Sequence, residues 1–245
     1  MTKLCIRNLT KKFAGQTILD KVSLSVEDGE FVSILGPSGS GKSTLFHLIG
    51  GITNPDSGDI WLDGRRMNGE RGGISYTPQA PSLLPWRTIL QNVMLGAELT
   101  GDQDERKALE LINRAGLKGY EKAYPHELSG GMMQRAAFVR SLLSPQQLIC
   151  LDEPFSALDE FTRLDMQAWL LSIWQSYQRS ILFITHNIEE AIYLSDRVIV
   201  LSQKPTTIKQ ELQIPFERPR NKNLTLSEEF LEWKKMIYHQ LQNNH

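Results

Sequence analysis

The chain has 245 residues, of which 40% are apolar and 22% are charged, as in ordinary globular proteins. Its 27 basic and 28 acidic side chains leave a net charge of −1, which excludes a globally basic nucleic-acid binder. No apolar run approaches the roughly 18 residues of a membrane-spanning helix, and no signal-peptide core follows Met1. Two cysteines, Cys5 and Cys150, exclude a disulfide scaffold, so we expect buried thiols in a reducing cytoplasm.

The N-terminal part of the chain predicts mainly β-structure. Residues 4–9 and 22–26 alternate apolar and polar side chains, as half-buried strands do. Residues 31–35 are more continuously apolar and fit a strand that is buried on both faces. A loop rich in glycine and serine follows. It leads into a predicted helix whose apolar face carries Leu45, Leu48, Ile49 and Ile52.

The middle of the chain, from about residue 86 to residue 145, has the helical period instead. Its clearest apolar stripe consists of Ala108, Leu111, Ile112 and Ala115. Short polar and glycine-rich breaks separate the predicted helices. We therefore predict a helical subdomain that is inserted into an α/β core.

After the insertion, strands and helices alternate. Residues 148–151, 181–184 and 198–201 are predicted strands. A helix of two to three turns is predicted from the stripe Phe161, Leu164, Ala168 and Leu171. Because strands that alternate with helices imply a parallel sheet covered on both faces, residues 1–215 form one predicted α/β unit.

The remaining residues, 216–245, form a tail that carries no recognisable motif. It predicts a helix that starts with a capping box at Thr225. The apolar face of this helix consists of Phe230, Trp233, Ile237 and Leu241.

The loop after residues 31–35 matches the phosphate-binding pattern G-x-x-x-x-G-K-[ST] in full. The matching residues are Gly36, Pro37, Ser38, Gly39, Ser40, Gly41, Lys42 and Ser43. Its backbone N–H groups and the N-terminus of the following helix favour an anion. We expect Lys42 to reach the β- and γ-phosphates and Ser43 to hold Mg²⁺. The loop therefore predicts a nucleoside triphosphate site.

Two adjacent carboxylates, Asp152 and Glu153, follow the predicted strand 148–151. A strand end beside the phosphate loop is where Mg²⁺ needs an acidic partner. We expect Asp152 to hold the ion and Glu153 to polarise the attacking water as a general base. Four apolar residues before Asp-Glu-Pro, in a chain with a complete phosphate loop, favour this interpretation over a solvated acidic turn.

A second anion-binding pattern lies in the helical insertion. Ser129, Gly130 and Gly131 open a predicted helix, where backbone N–H groups and a hydroxyl can bind an anion. Taken alone, the pattern fits an ordinary helix cap better. Beside the phosphate loop, which already provides one such site, it suggests a site for a nucleotide held by another copy of the chain.

These residues carry a family resemblance, because LSGGMMQ at 128–134 resembles the signature motif of ATP-binding-cassette (ABC) ATPases. Other residues resemble the family's motifs in the same order along the chain. Gln79 resembles its Q-loop glutamine, Asp159 lies in a D-loop-like SALD, and His186 resembles its switch histidine. Phe13 stands where the family places an aromatic residue on adenine. The resemblance covers about residues 3–205.

The resemblance implies a P-loop NTPase fold with a parallel core sheet, an N-terminal antiparallel β subdomain and an inserted helical subdomain. It implies ATP and Mg²⁺ as cofactors in a homodimer, with each ATP between one phosphate loop and the partner's signature motif. The implied nucleotide contacts are Phe13, residues 36–44 including Thr44, Ser129, Gly130, Gly131 and Asp159. The implied metal site is Ser43, Gln79 and Asp152. The implied catalytic residues are Lys42, Gln79, Glu153 and His186.

A finer resemblance lies in Leu83, Leu84, Pro85 and Trp86. The stretch resembles one in ATPases of the nitrate, sulfonate and taurine importer group, which includes thiamine-precursor systems, and the family docks its permease there. This implies solute import with integral membrane permease subunits and, indirectly, an extracytoplasmic solute-binding protein, at the cytoplasmic face of the membrane and without nucleic acid. The alternative for Trp86 is packing within the helical subdomain.

Two positions depart from the family's pattern. Met133 stands where many relatives carry Arg or Gln, and Asn187 follows His186 where Asp is frequent. Neither removes a catalytic group, so we expect an active ATPase. One alternative is a soluble non-transport ABC ATPase, although such proteins usually carry two cassettes or a coiled-coil arm. Another is a P-loop kinase or GTPase, which would leave residues 128–134 without a role.

Overall fold

The computed structural model describes residues 1–101 and 104–242, whose ten strands form two sheets. The strands are β1 (Thr2–Phe13), β2 (Gln16–Glu27), β3 (Phe31–Leu35), β4 (Ser57–Leu62), β5 (Arg65–Arg66), β6 (Ser75–Thr77), β7 (Leu148–Asp152), β8 (Ser180–Thr185), β9 (Arg197–Leu201) and β10 (Ile208–Gln213). The helices are α1 (Lys42–Ile49), α2 (Ile89–Val93), α3 (Leu95–Leu99), α4 (Glu105–Arg114), α5 (Gly130–Leu143), α6 (Glu160–Tyr177), α7 (Ile188–Leu194) and α8 (Glu228–Gln242). Short 3-10 turns cover Pro125–Glu127 and Lys222–Leu226.

The two sheets differ in strand direction. The smaller one is antiparallel, in the order β2-β1-β4-β5. The larger one has the order β10-β9-β3-β8-β7-β6 and is parallel except for β10, which runs antiparallel to β9. The predicted α/β class, with a parallel core sheet and an antiparallel N-terminal sheet, is confirmed. The loops that follow β3, β6, β7 and β8 therefore meet at one edge of the sheet.

Strand β3 is buried along its whole length, as its continuous apolar sequence predicts. Val32 and Ile34 belong to a core that α1 and the antiparallel sheet share. Phe31 and Leu35 belong to a second core, which includes residues of α5, α6 and α7. Because both faces of β3 are packed, its carboxyl end provides a rigid start for the loop that follows.

The helical insertion is organised around α5, which packs against α2, α3 and α4. The buried side chain of Asn92 holds the loop before α2 in place. Its amide nitrogen donates to the backbone carbonyls of Leu84, Arg87 and Thr88 at 3.0–3.1 Å, and its oxygen accepts from the Leu84 N–H at 2.7 Å. The indole of Trp86 projects from this loop and is 71% exposed, so it does not pack within the helices.

Two helices differ from their predictions. Helix α1 ends at Ile49, and Ile52 lies beyond it and is exposed, because Gly50 caps the helix and Gly51 takes a left-handed φ of +66°. Helix α6 has 18 residues, and its predicted apolar stripe is out of phase, since Phe161 is 84% exposed. The ring of Trp174, which packs edge-on against Phe31, sets the face that α6 buries. Its buried apolar residues are Met166, Leu170, Leu171, Ile173 and Trp174.

The tail helix α8 has the predicted apolar face, with Phe230 and Ile237 buried. Its cap is Ser227, whose hydroxyl accepts from the Phe230 N–H at 3.2 Å. The prediction of a capping box at Thr225 was wrong, because Thr225 lies in the preceding 3-10 turn and donates to the Lys222 carbonyl. Strand β10 was not predicted, because its sequence IKQELQ is mostly polar and it pairs on one side only.

The two cysteines differ in burial. Cys150 on β7 is fully buried, whereas Cys5 on β1 is partly exposed, so the prediction for Cys5 was wrong. Burial raises the pKa of the Cys150 thiol, which keeps it protonated and unreactive. Within residues 1–101 and 104–242, no helix is both long and apolar enough to cross a bilayer.

Candidate active site

The phosphate loop joins the end of β3 to the start of α1. Gly41 caps α1 with a φ of +90°, and a Cβ at this position would lie 2.8 Å from Ile18 Cγ2, so only glycine fits. An open pocket of about 280 Å³ lies against the loop. Its lining residues are Ser38, Gly39, Ser40, Gly41, Lys42, Ser43, Thr44, Glu153 and Lys204.

The side chain of Lys42 lies at the base of this pocket and is only 6% exposed. Its ammonium donates to the carbonyls of Gly36 at 2.9 Å and Pro37 at 3.0 Å, and it lies 3.9 Å from Glu153 Oε1. Burial lowers the pKa of Lys42, and the carboxylates of Glu153 and Asp152 oppose that effect. The loop thus holds a buried cation among its own carbonyls, where an anionic phosphate can replace them.

Asp152 ends strand β7, and its carboxylate is almost fully buried beside α1. Burial raises the pKa of Asp152, while hydrogen bonds from Ser43 and Tyr76 oppose the rise. The Tyr76 hydroxyl donates to Asp152 Oδ2 at 3.2 Å. The Ser43 hydroxyl and the Asp152 carboxylate are neighbouring oxygen ligands, which fits Mg²⁺, since this ion commonly uses few protein ligands together with substrate phosphates.

Glu153 has an unusual backbone, with a φ of +44°. The Glu153 N–H donates to the Ile184 carbonyl of β8 at 2.9 Å, and this bond holds the strained turn in place. Its carboxylate lies 3.0 Å from His186 Nδ1. A carboxylate beside the phosphate loop, paired with an imidazole, can take a proton from a water that attacks the terminal phosphate.

Gln79 lies on the loop after β6 and connects the core to the helical insertion. Its side-chain amide donates to Ser156 Oγ at 3.0 Å, and its backbone carbonyl accepts from the Gln134 side chain of α5 at 3.1 Å. The strand order therefore brings Gln79, Asp152, Glu153 and His186 to one edge of the sheet, next to the phosphate loop.

The structure does not bring the remaining predicted residues into this pocket. Ser129 caps α5, and its hydroxyl accepts from the Met132 N–H. Asp159 caps α6, and hydrogen bonds from Thr162 lower the pKa of its carboxylate. Among the described residues that line the pocket, none comes from the start of α5 or α6.

One further predicted contact, Phe13, lies at the surface, and the two positions that depart from the family's pattern have structural roles. Phe13 is the last residue of β1 and is 46% exposed, and the Lys11 ammonium lies 5.1 Å from the centroid of its ring. Met133 packs against the core of the helical insertion, and Asn187 caps α7, where its side chain accepts from the Glu189 and Glu190 N–H groups.

Two residues beside the site were not predicted. Tyr76 bonds to Asp152, and Lys204 lines the pocket from the turn after β9. Strand β9 is the neighbour of β3, so its carboxyl end lies beside the phosphate loop. The sequence does not reveal this strand order, and without it Lys204 is one exposed lysine among many.

A parallel sheet that carries a phosphate loop after β3, an acidic pair after β7 and a histidine after β8 defines a P-loop nucleoside triphosphatase. The profile of the ABC transporter family matches residues 19–156, more than half of the chain, and the chain therefore belongs to that family. It is an ABC ATPase. This family membership excludes the kinase and GTPase alternatives.

The curated relatives match almost the whole chain. The aliphatic sulfonates import ATP-binding protein SsuB of Bacillus cereus is 39% identical over 97% of this chain and 95% of its own length. The nitrate import ATP-binding protein NrtD of Synechocystis is 43% identical over 91% and 88%. The formylaminopyrimidine import ATP-binding protein ThiZ of Halalkalibacterium halodurans is 44% identical over 86% and 84%. The predicted resemblance to this importer group is confirmed.

A solved structure shares the fold. The dimeric ATP-binding cassette MJ0796, bound to ADP and phosphate in a post-hydrolysis state, superposes with a TM-score of 0.75 at 30% identity. The alignment covers 87% of this chain and 100% of that chain. The predicted P-loop NTPase fold is thereby confirmed.

Proposed function

We propose that the chain is the ATP-hydrolysing subunit of a membrane importer, and that Glu153 is the general base of hydrolysis. The observation that carries this proposal is the Glu153 carboxylate, which lies 3.0 Å from His186 and faces the pocket that contains Lys42. A base must lie within hydrogen-bond reach of the water that it deprotonates, and this geometry satisfies that requirement for a phosphate on the loop.

The site residues bind the phosphates, accept the proton of the attacking water and hold the metal ion. Lys42 leaves the Gly36 and Pro37 carbonyls to bind the β- and γ-phosphates, and residues 38–44 bind them through backbone N–H groups. Glu153 accepts the proton of the attacking water, and His186 orients Glu153 and contacts the γ-phosphate. Ser43 and Asp152, with Gln79 nearby, would hold Mg²⁺, which would supply positive charge against the phosphates.

We further propose that the working unit is a dimer in which ATP lies between one phosphate loop and the partner's signature motif. Ser129 and Gly130 are exposed at the N-terminus of α5, a 14-residue helix. They lie outside their own chain's pocket, which supports contact with a nucleotide on another copy. The adenine then stacks on Phe13, and Asp159 lies at the interface between the two copies.

The transport role rests on the import relatives and on the loop that holds Trp86. An exposed indole on a loop fixed by Asn92 is a typical anchor for a protein partner. We propose that the loop docks permease subunits at the cytoplasmic face of the membrane. The solute, delivered by an extracytoplasmic binding protein, belongs to the class that the relatives' names define: sulfonates, nitrate or a thiamine-pyrimidine precursor. Uptake of these solutes by a deletion strain identifies which.

The central test replaces Glu153 by Gln. Loss of the general base should lower ATP turnover on the order of 100- to 1000-fold, while ATP binding stays intact. Phosphate release and the binding of a fluorescent ATP analogue measure the two properties, and size-exclusion chromatography with ATP should show a stabilised dimer. Glu110→Gln, on the exposed face of α4, is the matched control. Wild-type turnover in Glu153→Gln would contradict the assignment of Glu153 as the general base.

The docking proposal predicts that Trp86→Ala leaves the isolated protein nearly unchanged. Because the indole is mostly exposed, the free energy of unfolding should change by less than about 0.5 kcal/mol, and basal ATP turnover should persist. Co-purification with the permease and solute uptake should both fall. An unfolded Trp86→Ala variant would instead assign the indole to packing.

A further inference from the structure

The tail that follows strand β10, residues 214–242, is bound to helix α7 through a buried arginine. Arg220 is 8% exposed, and its guanidinium donates to the carbonyls of Ile192, Tyr193 and Ser195 at 2.7–3.0 Å. Burial lowers the pKa of Arg220 to about 10, so it remains charged at neutral pH. A cation that satisfies the last carbonyls of a helix also complements the helix dipole, so Arg220 fixes the end of α7.

A second arginine of the tail connects α7 to α6 and β3. Arg218 donates to the Leu194 carbonyl at 2.7 Å and to Asp196 Oδ1 at 2.7 Å, and its guanidinium lies 4.1 Å from the ring centroid of Trp174 in α6. The other oxygen of Asp196 accepts from the N–H of Phe31, which starts β3. One guanidinium thus contacts two helices and, through Asp196, the strand that precedes the phosphate loop.

The tail also contacts the beginning of α7. Helix α8 packs against α7, and Lys234 of α8 forms an ion pair with Glu189 in the first turn of α7. In the same turn, the buried carboxylate of Glu190 accepts from the Thr185 hydroxyl and lies 3.8 Å from Arg163 of α6. Both ends of α7 are therefore held, one by the tail alone and one by the tail together with α6.

Helix α7 begins at the active site, whereas the start of α6 lies outside the pocket. Helix α7 starts two residues after His186, and α6 starts directly after Asp159. We propose that Arg218, Arg220 and Lys234 form a clamp that sets the position of His186 against Glu153, which makes them positioning residues for hydrolysis. The proposal rests on the proposed role of His186. It assigns the tail a function that the cassette motifs do not contain.

Arg220→Ala and Arg220→Lys test the clamp. Arg220→Ala should lower kcat at least about tenfold while the Kd for ATP changes less than twofold, and Arg220→Lys should recover part of kcat. The imidazole NMR signals of His186, assigned with His186→Gln, should shift in Arg220→Ala. Arg179→Ala is the control, because Arg179 also donates to a backbone carbonyl, that of Gln146, but this carbonyl lies away from α7.

Each outcome has one meaning. An unchanged kcat and an unmoved His186 signal in folded Arg220→Ala overturn the clamp, as does an equal loss of kcat in Arg179→Ala at matched stability. If Arg220→Ala does not fold, Lys234→Ala tests the clamp instead. We expect kcat to fall about two- to threefold and the His186 NMR signal to shift. The NMR signal needs no turnover, so a wild-type chain without ATPase activity would refute the proposed function and not the clamp.

Discussion

The sheet edge and the start of α5 each contain a glycine-bearing helix start, where backbone N–H groups can bind an anion, but they differ in how many contacts the chain itself supplies. At the sheet edge, the charged groups of Lys42, Asp152 and Glu153 all have partners within the chain. At the start of α5, Ser129 and Gly130 are exposed, and a Cβ at Gly130 would meet no described atom within 4 Å. In the proposed dimer, the chain therefore prearranges the hydrolytic half of the site, and the start of α5 is the open surface that would complete the site of another copy.

Two adjacent glycines at the start of α5 allow its proposed role in binding a nucleotide to be separated from its role as a helix cap. Gly130→Ala has room for its methyl group, and alanine favours a helix, so the free energy of unfolding should stay the same or rise by up to about 1 kcal/mol. If the open surface completes the site of another copy, ATP turnover should nevertheless fall on the order of 100-fold, since the added methyl group keeps a phosphate from reaching the backbone N–H groups. Urea denaturation and phosphate release measure the two effects.

The neighbouring substitution is the control. In Gly131→Ala the Cβ would lie 2.9 Å from Thr162 Cγ2 of α6, so packing must shift at a cost of about 1–3 kcal/mol. Activity should then fall together with stability. A stable and fully active Gly130→Ala would mean that the start of α5 is only a helix cap.

The comparison also shows what the sequence can predict. Local patterns placed several elements correctly: β3 is buried along its length, the phosphate loop joins β3 to α1, and Asp152 and Glu153 lie at the end of β7. The prediction that Phe161 lies on the buried face of α6 was wrong. The buried face depends on the sheet that the helix packs against, and α6 places Trp174 against Phe31 of β3. The prediction of a cap at Thr225 was wrong for a related reason, since Ser227, two residues further on, also fits a cap and is the residue that caps α8.

The residues that were missed depend on strand order. Lys204 and Tyr76 lie beside the site only because β9 is the neighbour of β3 and β6 the neighbour of β7. The contacts of Arg218 and Arg220 are likewise invisible in the sequence, because they lead to backbone carbonyls about 25 residues away. Backbone carbonyls have no residue identity, so no sequence pattern marks them.

Lys204 adds a second cation to the lining of the phosphate pocket. The turn that carries it is anchored to the phosphate loop, because Thr206 Oγ1 donates to the Ser40 carbonyl. A second cation beside Lys42 should strengthen phosphate binding, so Lys204→Ala should raise the Kd for ATP about three- to tenfold, and added salt should reduce the difference. A fluorescent ATP analogue measures the Kd. Lys118→Ala, at an exposed site near α4, should match wild type, and a Lys204→Ala variant that also matches it would exclude a phosphate contact.

The smallest effect concerns the buried carboxylate that joins α6 to α7. Burial raises the pKa of Glu190 above its ordinary value of 4.5, and the Thr185 hydroxyl and Arg163 only partly oppose the rise. Between the unfolded and folded pKa values the native state binds more protons, so this group's contribution to stability is lost as pH rises through the folded pKa. Wild type should therefore lose stability relative to Glu190→Gln over that range. Urea denaturation across pH 4–8 measures the difference, and Glu110→Gln should give a flat control. A wild type that gains stability relative to Glu190→Gln as pH rises would show that Arg163 keeps Glu190 ionised.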